Sequence, residues 1–323
     1  MKNILITGSS GYLGRRLATA LRQNDQIGQI VGIDIQPPAD LPDGMTFYKK
    51  DIRDPQIREV FSKHRIDTVF HLAFVVKPIH DIRRMHDVDV NGSRNILENA
   101  TAAGVSHMLV TSSTLAYGAH PDNPSLLSET APLRGNRTFP YGYYKAVTEE
   151  MIQAYAAAHP QLPITILRPC TVFGPSVDNY ISRMLFMPVT FRVSGYNPPV
   201  QFVHEDDFVG ACLAAMAAEM SGAFNIAGEG TITVDEIAGI IGTRVLPLPA
   251  WIIYPMLEVL WRLHCPGIEV NRGYLDYVRY PFVTSNQRAK EKLAFYPKHS
   301  SRETVEATAG RRSHVKTPAE SQT

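Results

Sequence analysis

Residues 141–145, YGYYK, hold the side chains best spaced to do chemistry. Tyr141 and Lys145 are four residues apart, so on a helix both project from one face. A free phenol titrates near pH 10 and is a poor base at neutral pH. An ammonium beside it favours the phenolate and brings Tyr141 into range for proton transfer with an alcohol. Tyr143 and Tyr144 are competing phenols, but neither has a lysine four residues on.

A second stretch, ITGSSGYLGRRLA (6–18), spaces Gly8, Gly11 and Gly14 three apart directly after the apolar run Ile4-Leu5-Ile6. Gly8 permits a tight turn, Gly11 lets the backbone approach a pyrophosphate, and Gly14 lets a helix pack against a sheet. The free N–H groups of that helix then face the anion. Asp34 ends the next apolar run, 20 residues after Gly14. Its carboxylate suits the ribose hydroxyls of adenosine and repels a 2′-phosphate. No arginine or lysine follows in DIQPP, which favours NAD over NADP.

These groups need a scaffold, and the chain alternates to supply one. NILIT, IVGIDI, TVFHLA, HMLVTSS and ITILRP read as buried strands, short and rich in branched residues. Amphipathic stretches such as GRRLATALRQ, DPQIREVFSKH, NGSRNILENATAAG and YYKAVTEEMIQAYAAAH lie between them. Strand and helix in turn predict an α/β protein: a Rossmann-type, doubly wound parallel sheet. The rhythm degrades after about residue 170, where proline and glycine multiply. Residues 1–169 are therefore expected to form the cofactor domain, and 170–310 a smaller, irregular and interleaved α/β substrate lobe. Residues 311–323 lack apolar periodicity and are expected to be a flexible tail. EDDFVGACLAAMAAEM reads as a helix opened by Asp206 and Asp207, which are expected to cap it.

Composition narrows the function further. Lysine plus arginine number 32 against 31 acidic residues, so a nucleic-acid partner has no electrostatic footprint. The three cysteines, Cys170, Cys212 and Cys265, have no metal-site spacing and suit a reducing, cytoplasmic setting. MKNILITG enters a strand at once, so no signal peptide is expected. The most apolar later segment, WIIYPMLEVLWRL (251–263), contains Pro255, Glu258 and Arg262. It falls short of the roughly 20 residues that span a bilayer. No His, Asp and Glu cluster has ligand spacing, so no metal is expected.

The three-and-three glycine spacing followed by a tyrosine–lysine pair resembles the short-chain dehydrogenase/reductase superfamily. DIRD (51–54), FHLAF (70–74), NGSRNILENA (91–100), VTSSTLAYG (110–118) and LRPCTVFGP (167–175) follow in that family's order. FVHEDDFVGACLAA (202–215) and GAFNIAG (222–228) resemble the lobe of the extended branch, the NAD-dependent epimerase/dehydratase family. The likeness covers about nine-tenths of the chain. It implies cofactor contacts from Gly8, Ser10, Gly11, Tyr12, Leu13 and Gly14 in the turn, and from Asp34, Ile35, Asp51 and Ile52 around the adenosine. It adds Leu72, Ala73, Asn91, Thr111 and Pro169, with Tyr141 as proton carrier and Lys145 on the nicotinamide ribose. The family also uses a hydroxyl to polarise the reacting oxygen; counting back from YG selects Ser113 ahead of Ser112. Phe74, Ser113, Thr114, Tyr117, Thr171 and Val172 are the implied substrate contacts, Thr171 standing where the family's nucleotide-sugar enzymes usually have asparagine; Arg183, which sits in no family motif, is a further candidate. His71 and His204 are expected to line and pack. A homodimer through the YxxxK helix and its neighbour (roughly 84–103) is implied as well.

The implied reaction is hydride transfer between a secondary alcohol and NAD, completed by return of the hydride in an epimerase. Leu115-Ala116 stand where the family's dehydratases carry an acid, which argues against elimination. A sugar epimerase acting on nucleotide sugars needs a diphosphate clamp, for which Arg183, Arg192, Arg272 and Arg279 are candidates. Two alternatives stand beside it. One is a dehydrogenase or ketone reductase for a lipophilic, hydroxysteroid-like alcohol, with 251–263 lining its pocket. The other is a non-catalytic NAD-sensing protein.

Overall fold

The computed structural model describes residues 1–38, 40–42 and 44–315, the last five by their backbone. Its apolar runs become strands buried on both faces. In β1 (Lys2–Thr7), Ile4 and Ile6 enter one core and Leu5 the other, as the two-residue period of a strand requires. The strands β2 (Ile27–Asp34), β4 (Thr68–His71), β5 (His107–Thr111) and β6 (Ile164–Pro169) divide the same way. Ile30, Phe70, Leu109 and Leu167 face the first core; Val31, Val69, Met108 and Ile166 face the second. Two strands complete the sheet, β3 (Met45–Lys49) at one edge and β7 (Gly222–Ile226) at the other.

Helices close both cores. Leu17, Ala18 and Leu21 of α1 (Tyr12–Arg22) cover the first, together with Phe208 and Ala215 of the helix Glu205–Ala218. The second is covered by α2 (Ile57–His64), by α4 (Ser93–Ala102) and by Ile152 of α5 (Pro140–Ala158). A short α3 (Ile82–His86) runs into α4 through a π-helical turn at Asp87–Gly92. Each buried aliphatic side chain contributes about 1.5–3 kcal/mol, which holds the strand ends in place.

The seven parallel strands run β7-β6-β5-β4-β1-β2-β3. The order reverses between β1 and β4, so the loops leaving them diverge and open a crevice at their C-terminal ends. Residues beyond 169 return to this scaffold: β7 pairs with β6, and Glu205–Ala218 packs on the sheet. The remainder of that lobe includes three two-stranded sheets.

Two expectations are revised. The helix Ser301–Val315 continues into the region read as a tail, because propagation gains one bond per residue without needing an apolar face. Residues 316–323 lie outside the described residues. The helix Glu205–Ala218 is capped by His204, whose Nδ1 accepts from Asp206 N at 3.2 Å. Asp207 instead accepts from the Lys298 and His299 amides, each at 3.0 Å. In the apolar helix Ala250–Arg262, Ile253 is fully buried, while one side is open, with Trp251 78% exposed and Leu263, just past the helix end, 69%. Its other side packs inward: Ala250, Tyr254, Met256 and Leu257 lie against the cluster of Val193, Ile253 and Leu275. No described helix is long and apolar enough to cross a membrane.

Candidate active site

The crevice between β1 and β4 is floored by glycine for steric reasons. Gly8 has φ +72°, and a Cβ there would lie 2.8 Å from Ala73 N. At Gly14 it would meet the Gly8 carbonyl oxygen at 2.2 Å, so α1 can pack this closely only without a side chain. Gly11 is the N-cap of α1, which has no side-chain cap and no acidic residue in its first turn. Its leading amides are free for an anion. Asp34 accepts from Ser10 N at 3.0 Å and Gln36 N at 3.2 Å, which fixes its carboxylate at the mouth of the turn. Ile35, beside it, is exposed. Leu72 N and Ala73 N are tied to Thr7, at 3.1 Å to its carbonyl and 3.3 Å to its hydroxyl. His71 is buried between Thr7 Oγ1, at 2.7 Å, and Ser93 Oγ, at 2.8 Å. Burial holds its imidazole down at about 3, so the ring is neutral.

Pro140 starts α5 with its φ pre-set for a helix, and the first two turns place Tyr141 and Lys145. Lys145 Nζ donates to Thr111 O at 2.8 Å and lies 3.6 Å from the Phe74 ring centroid. The Tyr141 ring meets Phe74 edge-on at 5.8 Å, and its phenol hydrogen-bonds Ser113. Ser113 also accepts from Leu115 N at 3.2 Å and faces Pro169 O at 3.5 Å. Ser112 turns away to donate to Glu149 Oε2 at 2.5 Å. The expected depression of the Tyr141 phenol is not what the protein alone produces. Burial pushes it above its ordinary value, against the opposing pull of the Ser113 hydrogen bond.

Several implied contacts are engaged elsewhere. Tyr117 is 1% exposed. Its hydroxyl donates to Asn225 Oδ1 at 2.7 Å and accepts from Arg168 Nη1 at 2.5 Å, so it belongs to a buried network and not to a substrate surface. Arg183 pairs with Asp178 at 3.1 Å and Glu269 at 3.0 Å. Asn91 is exposed and donates to Asp87 Oδ1 at 2.9 Å. The Asp51 carboxylate is gripped by Arg53 at 2.7 Å, which holds it below the usual range; Arg53 also reaches Asp87 at 2.6 Å. Ile52 is buried near Gly92. The Tyr12 hydroxyl bonds Glu205, which leaves its backbone amide for the crevice. Thr171 and Val172 lie on a short strand, Thr171–Phe173, with Val172 packed on the first core.

A dinucleotide fits this crevice. The uncapped helix start, the clearance that only glycine allows, and the buried, unpartnered hydroxyl of Thr111, which lines a cleft with Ala73, Phe74 and Lys145, all lie there. Gly8–Gly14 would hold its pyrophosphate, Asp34 its adenosine ribose, and Lys145 its nicotinamide ribose. Among the described residues no group of His, Cys, Asp and Glu could hold a metal ion.

The NAD dependent epimerase/dehydratase family matches residues 4–227 of the chain. An uncharacterized protein of Mycobacterium tuberculosis (strain ATCC 25618 / H37Rv) is 28% identical over 315 residues, covering 95% of this chain and 82% of that protein. The UDP-glucose 4-epimerase of Neisseria meningitidis serogroup B (strain ATCC BAA-335 / MC58) is 31% identical over 314 residues, covering 92% and 89%. In fold, the chain resembles UDP-glucuronic acid 4-epimerase from Bacillus cereus, solved with UDP-glucuronic acid and NAD. The TM-score is 0.74 at 22% identity, over 97% of this chain and 99% of that one. With the glycine-floored crevice and the Tyr141–Lys145 pair beside it, these matches make the chain a member of the NAD-dependent epimerase/dehydratase family, an extended short-chain dehydrogenase/reductase enzyme.

Proposed function

We propose that this enzyme epimerises a hydroxyl-bearing carbon of a nucleotide-diphosphate sugar. The observation that carries the reading is Arg279. Of the four candidate clamp arginines, Arg183, Arg192 and Arg272 each face a carboxylate. Arg279 has no carboxylate partner among the described residues. Its guanidinium lies 4.5 Å from the Tyr196 ring, 5.8 Å from Tyr254 and 5.0 Å from Tyr280, and its Nε is buried without a partner. Its Nη2 donates to Tyr196 OH at 3.1 Å, and Tyr280 packs on an apolar cluster that Tyr141 also touches. A guanidinium prepared in this way suits a diphosphate.

Bound NAD supplies the hydride acceptor. Tyr141 exchanges the proton of the sugar hydroxyl, Ser113 steadies charge on that oxygen, and Lys145 favours the phenolate. Leu115-Ala116 offer no carboxylate for an elimination. The test is the melting temperature of the NAD-loaded protein with UDP and with TDP. At a hundred times Kd, a bound nucleotide stabilises by about 2.7 kcal/mol, and Arg279→Met is expected to abolish that shift. No shift with either nucleotide overturns the reading.

The proposal extends to a cytoplasmic homodimer assembled through α5 and α4. The free thiols of Cys170, Cys212 and Cys265 support the reducing compartment, and exposed Ala154, Ala157 and Ala158 on α5 allow close helix approach. A sedimentation mass of one chain would refute the dimer.

A further inference from the structure

Lys145 carries its ammonium in a site with little water, held by Thr111 O at 2.8 Å and covered by the Phe74 ring at 3.6 Å. A charge so placed needs an anion. Two buried carboxylates are available. Glu149 lies one turn along α5, but Arg168 takes it at 2.5 and 2.8 Å, and Ser112 donates to it at 2.5 Å. That pair is closed.

Asp89 is the other. It is fully buried; its Oδ1 accepts from Val75 N at 2.8 Å, and its Oδ2 has no partner among the described residues. It sits in the π-helical turn Asp87–Gly92. Asp87 in that turn bonds Asn91 and Arg53 on the surface, whereas Asp89 enters the interior. Val75 directly follows Phe74, so one carboxylate anchors the segment whose ring covers Lys145.

We propose that Asp89 is a positioning residue, a buried charge beyond direct ion-pair distance that favours the Lys145 ammonium while fixing Phe74 over it. The other groups that bear on this pair are accounted for. His71 is neutral between Thr7 and Ser93; Tyr141 and Tyr144 are both pushed up by burial; and Glu149 is neutralised by Arg168. Burial raises Asp89 and lowers Lys145, and the charge on each draws the other back toward its ionised form. The inference rests on Lys145 standing at the reacting site and needs no particular sugar.

The experiment follows the Lys145 signal in protein labelled at lysine ¹³Cε, assigned as the resonance missing from Lys145→Met. Asp89→Asn keeps an acceptor for Val75 and removes the charge. Its Lys145 midpoint is expected about one pH unit or more below the parent's, a tenfold loss in proton affinity. An unchanged midpoint in folded Asp89→Asn overturns the proposal and leaves Asp89 a backbone anchor alone. Should that variant not fold, the reciprocal experiment decides. In aspartate ¹³Cγ-labelled protein, Lys145→Met is expected to raise the Asp89 midpoint by about a unit or more, and no movement overturns the proposal. Both titrations are read without substrate, so failure of the nucleotide-sugar reading leaves them untouched.

Discussion

Ser112 and Ser113 adjoin in sequence and serve different partners, because consecutive side chains leaving a strand point apart. Ser113 meets Tyr141, whereas Ser112 donates to buried Glu149 at 2.5 Å. Ser113→Ala is expected to lower kcat by about 10²–10³-fold, the loss seen when one donor to a developing oxyanion is removed, with little change in Tm. Ser112→Ala is expected to leave kcat near the parent's and to cost about 1–3 kcal/mol of stability. Steady-state rates on whichever nucleotide sugar the enzyme turns over, paired with thermal melts, check both; the reverse pattern would exchange the two roles. Residue types and spacing pointed to Tyr141, Lys145 and the glycines because those patterns are local: four residues separate Tyr141 from Lys145, and one loop holds the glycines. Partners brought from afar were not legible. Nothing near Tyr117 announces Arg168 or Asn225, 51 and 108 residues away. Asp89 had a faint signal, an acid inside the apolar alternation of VDV, but its value comes from Val75 and Lys145 on other elements.

Elements were read best where burial on both faces left long apolar runs, as in β1, β2, β4, β5 and β6. The edge strand β3 was missed because MTFYK has one neighbouring strand and only Met45 buried. The π-helical turn was missed because its wider winding leaves no periodic mark in six residues. The contact of α1 with the turn before it is the most exacting junction, since a Cβ at Gly14 would lie 2.2 Å from Gly8 O and 2.8 Å from Ser9 Cα. Backbone atoms cannot step aside there. Gly14→Ala is therefore expected to displace the start of α1, costing about 1–3 kcal/mol as overpacking does and weakening NAD binding. Fluorescence titration with NAD and a urea melt measure the two effects. A variant with parental affinity would show that the amides of α1 do not set the pyrophosphate position.

At the scale of the whole molecule, two buried histidines tie strands together and make the fold sensitive to acid. His71 joins β1 to α4 through Thr7 and Ser93, beside the crevice; His107 joins β5 to β6 through Thr165 at 2.8 Å. Burial lowers the first to about 3 and the second to about 4. Their folded values lie below the unfolded value near 6.5, so between these limits the unfolded chain binds more protons. The stabilisation they confer is complete above about pH 6.5 and declines as pH falls toward their folded values. At pH 4.5 each has lost about 2–3 kcal/mol, taking two pH units at 1.36 kcal/mol apiece. The carboxylates of Asp51, Asp54 and Asp87, held low by Arg53, Lys50 and Asn91, add the same sign only in stronger acid. Tm is therefore expected to fall steeply from pH 7 to 4.5, and His71→Gln, which retains a donor and an acceptor, to flatten that slope. If the parent's Tm is level across the range, His71 already takes up a proton in the folded protein. The joint between β1 and α4 would then be open to water, and the crevice beside it could not be the dry, preorganised site on which the proton chemistry of Tyr141 depends.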